Sequence, residues 1–178
     1  MNPSVDRPVR VGIVLGSDSD LDVMLEAVKV LDALEIGCEV VVASAHRTPK
    51  RTEEYATSAA GKGIGVLIGA AGGAAALPGV LAASTPLPVI GVPIASTPLG
   101  GMDALFSIVQ MPPGVPVATV AVGKWGATNA AILAAQILAA TDAALAKRLA
   151  DYRARLAAQV DDRQRRVAEK LAAARTST

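Results

Sequence analysis

The residues with the clearest chemical potential in this 178-residue chain are one histidine and the arginine that follows it. His46 is the only histidine, and imidazole is the side chain that most readily gains or loses a proton between about pH 5 and 8. Arg47 adds a planar, permanently charged group that suits phosphate. Both follow an apolar run at residues 40–43, so we expect them beyond the carboxyl end of a strand, where open α/β sheets bind ligands. His46 is therefore the first candidate for proton transfer.

A second candidate loop is GSDSD at residues 16–20, which follows another apolar run. It offers hydroxyls and backbone N–H groups at a predicted helix start, an arrangement that favours an anion. Its carboxylates would repel a phosphate and suit ribose hydroxyls instead. Ser17 is therefore predicted to contact a phosphate and Asp20 a sugar. An alternative is that Ser19 or Asp18 merely caps the helix. Helix capping and ligand binding can also occur in the same loop.

A third candidate loop, AGGAAA at residues 71–76, contains only small side chains. Such a loop lets backbone approach a planar ligand closely, or it serves only tight packing of helix on strand. The sequence has no Gly-x-Gly-x-x-Gly fingerprint and no phosphate-binding P-loop, so dinucleotide and nucleoside triphosphate binding are not supported. One histidine, one cysteine and scattered carboxylates predict no metal site.

Apolar runs alternate with segments of helical periodicity along the chain. Runs that are apolar throughout are typical of a parallel sheet covered on both faces. We therefore predict a three-layer, flavodoxin-like α/β domain with a central parallel sheet. Gly37 is expected to close the first helix, and Thr48 to cap the second with Pro49 in its first position. The predicted strands lie at residues 9–15, 38–43, 64–68, 89–92 and 117–122.

Composition narrows the class of protein. The net charge of +1 gives no electrostatic case for nucleic acid or a membrane surface. The lone Cys38 excludes an internal disulfide and fits the cytoplasm, and the first residues do not have the pattern of a signal peptide. The segment 63–102 contains no charged residue, but its prolines interrupt it too often for a membrane-spanning helix. We expect this uncharged surface to lie in contacts between subunits.

The sequence changes character near residue 140. Residues 1–140 are predicted to form the flavodoxin-like catalytic domain. Residues 141–178 carry apolar side chains at helical spacing among many arginines and lysines, which predicts a long C-terminal amphipathic helix. This extension packs either on a neighbouring subunit or on its own domain with a solvated face.

Taken in order, the motifs of the chain resemble those of the PurE family of purine biosynthesis, the N5-carboxyaminoimidazole ribonucleotide mutases. The likeness runs from about residue 9 to residue 140, and its specificity comes from the number of motifs found in order. The matching segments are GSDSD at 16–20, SAHRTP at 44–49, GGAA at 72–75, LPG at 77–79, PVIGVP at 88–93, SIVQMP at 107–112 and NAA at 129–131.

The resemblance implies both an assembly and a reaction. The assembly is a cytoplasmic homo-octamer with active sites at subunit junctions and the C-terminal helix packed on a neighbour. The reaction moves a carboxylate from the exocyclic nitrogen of N5-carboxyaminoimidazole ribonucleotide to the ring carbon, through bound carbon dioxide. The product is 4-carboxy-5-aminoimidazole ribonucleotide. No cofactor and no metal are expected, and the only other partner is the small ribonucleotide substrate.

The resemblance also assigns roles to residues. By match, Ser17, Asp20 and Arg47 bind the ribose phosphate, and His46 is the catalytic residue that carries the proton. An arginine after the histidine looks like the mutase class, because the related class that uses free carbon dioxide has lysine there. The full set of expected substrate-binding residues is Gly16, Ser17, Asp18, Asp20, Ser44, Ala45, Arg47, Gly72, Gly73, Ala76 and Leu77.

The third loop departs from the family pattern in two places. The family usually has histidine where this chain has Ala76, and a glycine where it has Ala70. Loss of that histidine can change affinity, loop closure or substrate. Two alternatives therefore remain: a diverged paralogue that acts on another aminoimidazole-type ribonucleotide, and a non-catalytic nucleotide-binding module. The presence of both His46 and Arg47 argues against the second.

Overall fold

The computed structural model describes residues 7–176. Its centre is a parallel sheet in the order β2-β1-β3-β4-β5, which is the strand order of flavodoxin-like folds. The prediction of a flavodoxin-like α/β domain is confirmed. The strands are β1 (Val9–Leu15), β2 (Gly37–Val42), β3 (Val66–Gly72), β4 (Val89–Ile94) and β5 (Ala118–Thr119).

Helices connect the strands and extend beyond the sheet. The connection from β1 to β2 runs across the sheet in the opposite direction to those from β2 through β5. Because such crossovers are right-handed, the first helix lies on the opposite face from the next three. The helices are α1 (Leu21–Ala33), α2 (Pro49–Ala59), α3 (Leu77–Ala83), α4 (Met102–Val109), α5 (Lys124–Ala139) and α6 (Ala143–Thr176).

The core is aliphatic, as the composition requires. On the face covered by α2, α3 and α4, a cluster of buried side chains joins these helices to the strands. Its one aromatic member, Tyr55, donates a hydrogen bond of 2.9 Å to Glu39. Burial and this carboxylate raise the pKa of the Tyr55 phenol far above its ordinary value. Other members include Val14, Ala56, Leu67, Leu77, Leu81, Ala104 and Ile108.

The end of α1 differs from the prediction. The helix ends before Gly37, and Glu35 takes the left-handed conformation with φ of 58°. Gly37 instead begins β2, where a Cβ would lie 2.3 Å from the carbonyl oxygen of Pro8. The glycine is needed for this close approach of two backbone segments rather than for a helix cap.

The last strand is much shorter than predicted. Only Ala118 and Thr119 pair with β4, although residues 117–122 are apolar or β-branched. The carbonyl of Pro93 in β4 accepts a bond of 2.9 Å from the N–H of Gly123. In a parallel ladder the N–H and C=O of one residue face the same neighbour, so Pro93 has no donor to offer β5. The ladder therefore ends early.

The chain divides into two compact units between Leu138 and Ala139. The first contains the sheet and the loops at its carboxyl edge. The second is dominated by α6, whose described side chains from residue 153 onward are exposed. In the described part of the chain, no helix combines the length and apolar character needed to span a bilayer.

Candidate functional site

The three loops singled out in the sequence come together at the carboxyl edge of the sheet. The strand β1 lies between β2 and β3, so the direction of the connections reverses beside it, which is where flavodoxin-like folds bind ligands. A cavity of about 360 Å³ opens there. It is lined by Gly16, Ser17, Ser19, Asp20, Ser44, Ala45, His46, Arg47, Ala71, Gly72, Ala75, Ala76, Leu77 and Ser96.

The loop after β1 forms one turn of 3₁₀ helix, Asp18–Asp20, before α1 begins. Ser17 and Asp20 form a reciprocal capping box, in which the Ser17 N–H donates to Asp20 Oδ2 at 3.2 Å. This pair, rather than the predicted Ser19 or Asp18, caps the turn. Asp20 is only 5% exposed, and burial raises the pKa of its carboxyl, an effect that the bond from Ser17 partly offsets. The loop thus presents hydroxyls around a fixed carboxylate.

The loop after β2 is closed by a compact set of bonds. The Ser44 N–H donates to Thr48 Oγ1 at 2.9 Å, and the Thr48 hydroxyl donates to the Ser44 carbonyl at 3.2 Å. Thr48 lies at the N-cap position of α2 with Pro49 first in the helix, as predicted, but its hydroxyl binds the loop and makes no capping bond. The Arg47 N–H donates to Ser44 Oγ at 3.2 Å. These bonds fix the backbone on both sides of His46.

Arg47 links this loop to the first one. Its guanidinium donates a bond of 3.1 Å to the carbonyl oxygen of Gly16, which leaves further N–H groups at the cavity wall. The imidazole of His46 is exposed and makes no hydrogen bond within the part of the chain that the structure describes. A ligand in the cavity would therefore meet a guanidinium held by this bond beside an imidazole that no hydrogen bond from the described residues restrains.

The third loop offers shape rather than charge. Gly73 and Ala75 have φ of 61° and 39°, and the Ala75 N–H donates to the Gly72 carbonyl at 3.1 Å. A Cβ on Gly72 would lie 1.9 Å from Ser96 Oγ, so only glycine fits at that position. The left-handed backbone at Ala75, which costs an ordinary residue roughly 1 kcal/mol, tightens the turn ahead of Ala76.

Most of the predicted binding residues line this cavity. Two do not: Asp18 lines only an adjoining cavity, shared with Arg51, and Gly73 lines neither. Ser19, Ala71 and Ala75 also line the cavity; they lie in the predicted loops but were not among the expected binding residues. Ser96 lies outside all three predicted loops. Ser96 was detectable, because it follows β4 as His46 follows β2. Over the described residues, no group of three His, Cys, Asp or Glu side chains could hold a metal ion.

The fold and the cavity define a flavodoxin-like α/β protein with a cavity at its switch point. A family model described as AIR carboxylase matches residues 10–159, and the chain belongs to this family, the AIRC/PurE family.

Curated relatives are similar in sequence to this chain over most of their length. The N5-carboxyaminoimidazole ribonucleotide mutase of Pyrococcus abyssi is 58% identical over 144 residues, which are 81% of this chain and 82% of the relative. The mutase of the same name from Bacillus subtilis is 57% identical over 143 residues, covering 80% and 88%. That of Escherichia coli K12 is 53% identical over 150 residues, covering 84% and 89%.

A solved structure shares the architecture. The crystal structure of Treponema denticola PurE superposes with a TM-score of 0.78, at 27% identity, and covers 88% of this chain and 96% of its own. The resemblance stated from the sequence motifs is therefore confirmed at the level of family and fold.

Proposed function

We propose that this protein converts N5-carboxyaminoimidazole ribonucleotide into 4-carboxy-5-aminoimidazole ribonucleotide, as an isomerase of purine biosynthesis. The observation that carries the proposal is the placement of His46 and Arg47 on one wall of the cavity, opposite a loop of small residues. The chain also belongs to a family whose curated members, at more than half identity, bear the name of this mutase.

The polar wall suggests how the substrate is held. Arg47 provides N–H donors for the phosphate, and the Ser17 hydroxyl adds another. Asp20 accepts hydrogen bonds from the ribose hydroxyls, because a carboxylate accepts from neutral hydroxyls and repels an anion. The bond from Arg47 to the Gly16 carbonyl supports this division, since it keeps the phosphate donors and the sugar acceptor in one frame.

We assign proton transfer to His46. Cleavage of the N–C bond releases carbon dioxide and leaves the electron pair on the exocyclic nitrogen, which takes a proton from the imidazolium. The ring carbon then attacks carbon dioxide, and its own proton passes to the neutral imidazole. The imidazole ends as it began, so one group serves both half-reactions. Such general acid–base catalysis contributes typically about 10²–10⁴-fold.

The third loop has a separate task in this scheme. Carbon dioxide is small and uncharged, and only a closed, water-poor wall retains it between the two steps. Gly72, Ala75 and Ala76 bring backbone and methyl groups to the cavity. This chemistry requires no redox or group-carrying cofactor, and we propose none.

Self-association follows from the uncharged surface, and we propose a homo-oligomer, with the octamer of the family as its form. Large apolar side chains near α4 and α5 are exposed in the single chain, above all Trp125 at 82%. Light scattering of the purified protein tests this, and a mass near the 18.0 kDa of one chain would refute it. The other exposed side chains of this group are Leu99, Met102, Phe106 and Val109.

We further propose that residues 1–140 are the catalytic domain and that residues 141–178 pack on a neighbouring subunit. In α6, Leu156, Val160, Val167 and Leu171 are exposed and recur at helical spacing, which leaves an apolar stripe for another chain to cover. Charged substitution of Val160 and Val167 is expected to reduce the oligomer mass. We place the reaction in the cytoplasm, which the unpaired Cys38 fits.

The decisive experiment is a direct ultraviolet assay of the isomerisation without ATP, metal or added bicarbonate. We expect conversion of N5-carboxyaminoimidazole ribonucleotide to the carbon-carboxylated isomer. Binding without conversion would reject the mutase proposal and favour one of the two alternatives, a paralogue with another substrate or a binding module.

Ala76 is the observation that favours the paralogue. It lines the cavity where the family usually has histidine, so the pocket has extra room and one fewer polar group. If the ordinary substrate is used, Ala76→His should raise the mutase activity or leave it unchanged. Abolished activity, in a variant that melts like the wild type, would indicate a pocket shaped for a different ribonucleotide.

A further inference from the structure

We propose that Ser107 is a positioning residue that holds the third loop against the cavity and thereby limits the escape of carbon dioxide. The inference rests on the proposed function for the role of carbon dioxide, and on the structure for the contact. The Ser107 hydroxyl, on α4, donates a hydrogen bond to the backbone carbonyl of Ala74, 33 residues earlier in the chain.

The loop needs such a restraint because its backbone is strained. Gly73 and Ala75, on either side of the accepting residue, both have positive φ, and this conformation is unfavourable for alanine. Strained backbone persists only where surrounding structure holds it. The bond from the Ala75 N–H to the Gly72 carbonyl ties the turn to the last residue of β3, and the bond from Ser107 adds a second anchor from a different element.

The helix that carries Ser107 is a firm support. Ala104 and Ile108 on α4 are buried at 0% and 1% exposure, and Ser107 lies between them in sequence, at the edge of this buried face. At the start of the helix, the Thr97 hydroxyl donates to Asp103 Oδ2 at 2.7 Å. This bond lowers the pKa of Asp103, so the carboxylate stays charged and the contact persists at neutral pH.

The other side of the loop is held by a different element. A Cβ on Gly72 would meet Ser96 Oγ, so the second residue after β4 packs directly on the start of the loop. The turn is therefore restrained at its start by Ser96 and at Ala74 by Ser107. Ala75 and Ala76, which follow, line the cavity, and their position depends on both restraints.

The test compares Ser107→Ala with Ser107→Thr and with Ser58→Ala. Threonine keeps a hydroxyl at the same place. Ser58 is the control, because its hydroxyl also donates to a backbone carbonyl, that of Tyr55 in the same helix, α2. Ser58 does not line the cavity. Alanine is favourable in helices and threonine costs less than about 1 kcal/mol there, so we expect all three variants to fold, and circular dichroism and thermal melting check this.

Two measurements separate positioning from a merely structural role. The first follows the isomerisation in ¹³C-bicarbonate and reports two leaks. Carbon dioxide that escapes leaves decarboxylated ribonucleotide, and carbon dioxide that enters from solution puts the label into the product. We expect both leaks to rise about two- to tenfold in Ser107→Ala, the range that loss of one hydrogen bond gives, with Ser107→Thr and Ser58→Ala close to wild type. The second is hydrogen exchange of the amides at 73–76, expected to accelerate in Ser107→Ala alone.

The outcomes remain distinguishable from failure of the proposed function. If the wild type does not convert the substrate, the proposed function falls and the carbon dioxide role falls with it, while hydrogen exchange still decides the positioning contact. If the wild type converts and Ser107→Ala shows neither faster exchange nor more leakage, the role of Ser107 is overturned. A rise in leakage that Ser107→Thr does not restore would also overturn it.

Discussion

The two walls of the cavity are built on opposite principles. The wall formed by the loops after β1 and β2 carries ionisable side chains, among them Asp20, His46 and Arg47, to which we assign substrate binding and proton transfer. The wall formed by the loop after β3 has no ionisable side chain and is defined by backbone conformation, with positive φ at Gly73 and Ala75. One wall thus carries the ionisable groups and the other sets the shape of the cavity. Substitutions in the first wall should mainly affect turnover and substrate affinity. Substitutions in the second should mainly affect closure of the cavity and stability of the protein.

The largest effect is expected at His46. In His46→Asn the imidazole is lost while similar size and polarity remain, so turnover should fall by about 10²–10⁴-fold, the usual contribution of general acid–base catalysis. Substrate binding should be largely kept, because the proposed phosphate and ribose contacts belong to other residues. Steady-state kinetics with a calorimetric binding measurement tests both parts. Turnover near that of the wild type would remove His46 from the mechanism.

A smaller effect on affinity is expected at Arg47. Arg47→Lys keeps the charge but loses the planar fork and the bond to the Gly16 carbonyl. The KM should rise about tenfold or more, because hydrogen bonds to charged groups contribute about 1.5–3 kcal/mol. Arg51→Lys is the matched control, since Arg51 lines only the adjoining cavity. Equal effects of the two substitutions would contradict the assignment of the phosphate to Arg47.

Gly72 tests whether the other wall acts through shape. Gly72→Ala places a methyl group 1.9 Å from Ser96 Oγ, and relief of such overpacking costs about 1–3 kcal/mol of the free energy of unfolding. Ser96→Gly should recover part of this loss in the double variant.

Gly61 provides the control for this substitution. A Cβ there meets nothing within 4 Å and its φ is not positive, so Gly61→Ala should leave stability unchanged or raise it by up to about 1 kcal/mol. Chemical denaturation measures the free energy of unfolding of Gly72→Ala, of its double variant with Ser96→Gly and of Gly61→Ala. Equal losses in Gly72→Ala and Gly61→Ala would reject the close contact with Ser96.

The smallest effect is a dependence on pH at Asp20. Burial raises the folded-state pKa of this carboxyl above its ordinary value, so the folded protein retains the proton to a higher pH than the unfolded chain. Its contribution to stability is therefore fully present below the ordinary pKa and is lost as the pH rises through the raised value. Asp20→Asn should remove this dependence. Denaturation curves from about pH 3 to pH 7 test it, and parallel pH profiles for the two proteins would exclude it.

The elements that follow from a regular sequence pattern could be predicted from the sequence. Alternating apolar and amphipathic segments predicted the parallel sheet, and the strand-end rule predicted the loops of His46 and Ser17. The details that failed depend on contacts distant in sequence. The role of Gly37 follows from the carbonyl of Pro8, and the length of β5 from the missing N–H of Pro93. No local pattern contains that information.

The site shows the same division. Residues with distinctive side chains were assigned individually from the sequence, whereas Ala71 and Ala75, which also line the cavity, were predicted only as members of the third loop. The left-handed conformation of Ala75 has no signature in its residue type, because alanine rarely adopts it. Thr48 was assigned to the helix start, but its hydroxyl binds Ser44, a choice that depends on how the loop folds back.

The short β5 has a consequence for how the protein behaves at high concentration. A strand at the rim of a sheet exposes a row of free backbone groups that can recruit a strand from another molecule and begin a fibril. Here that rim offers only the two residues Ala118 and Thr119 in regular pairing, and the ring of Pro93 stops the pattern from extending. One imino acid on the neighbouring strand thus protects this border of the sheet against uncontrolled polymerisation.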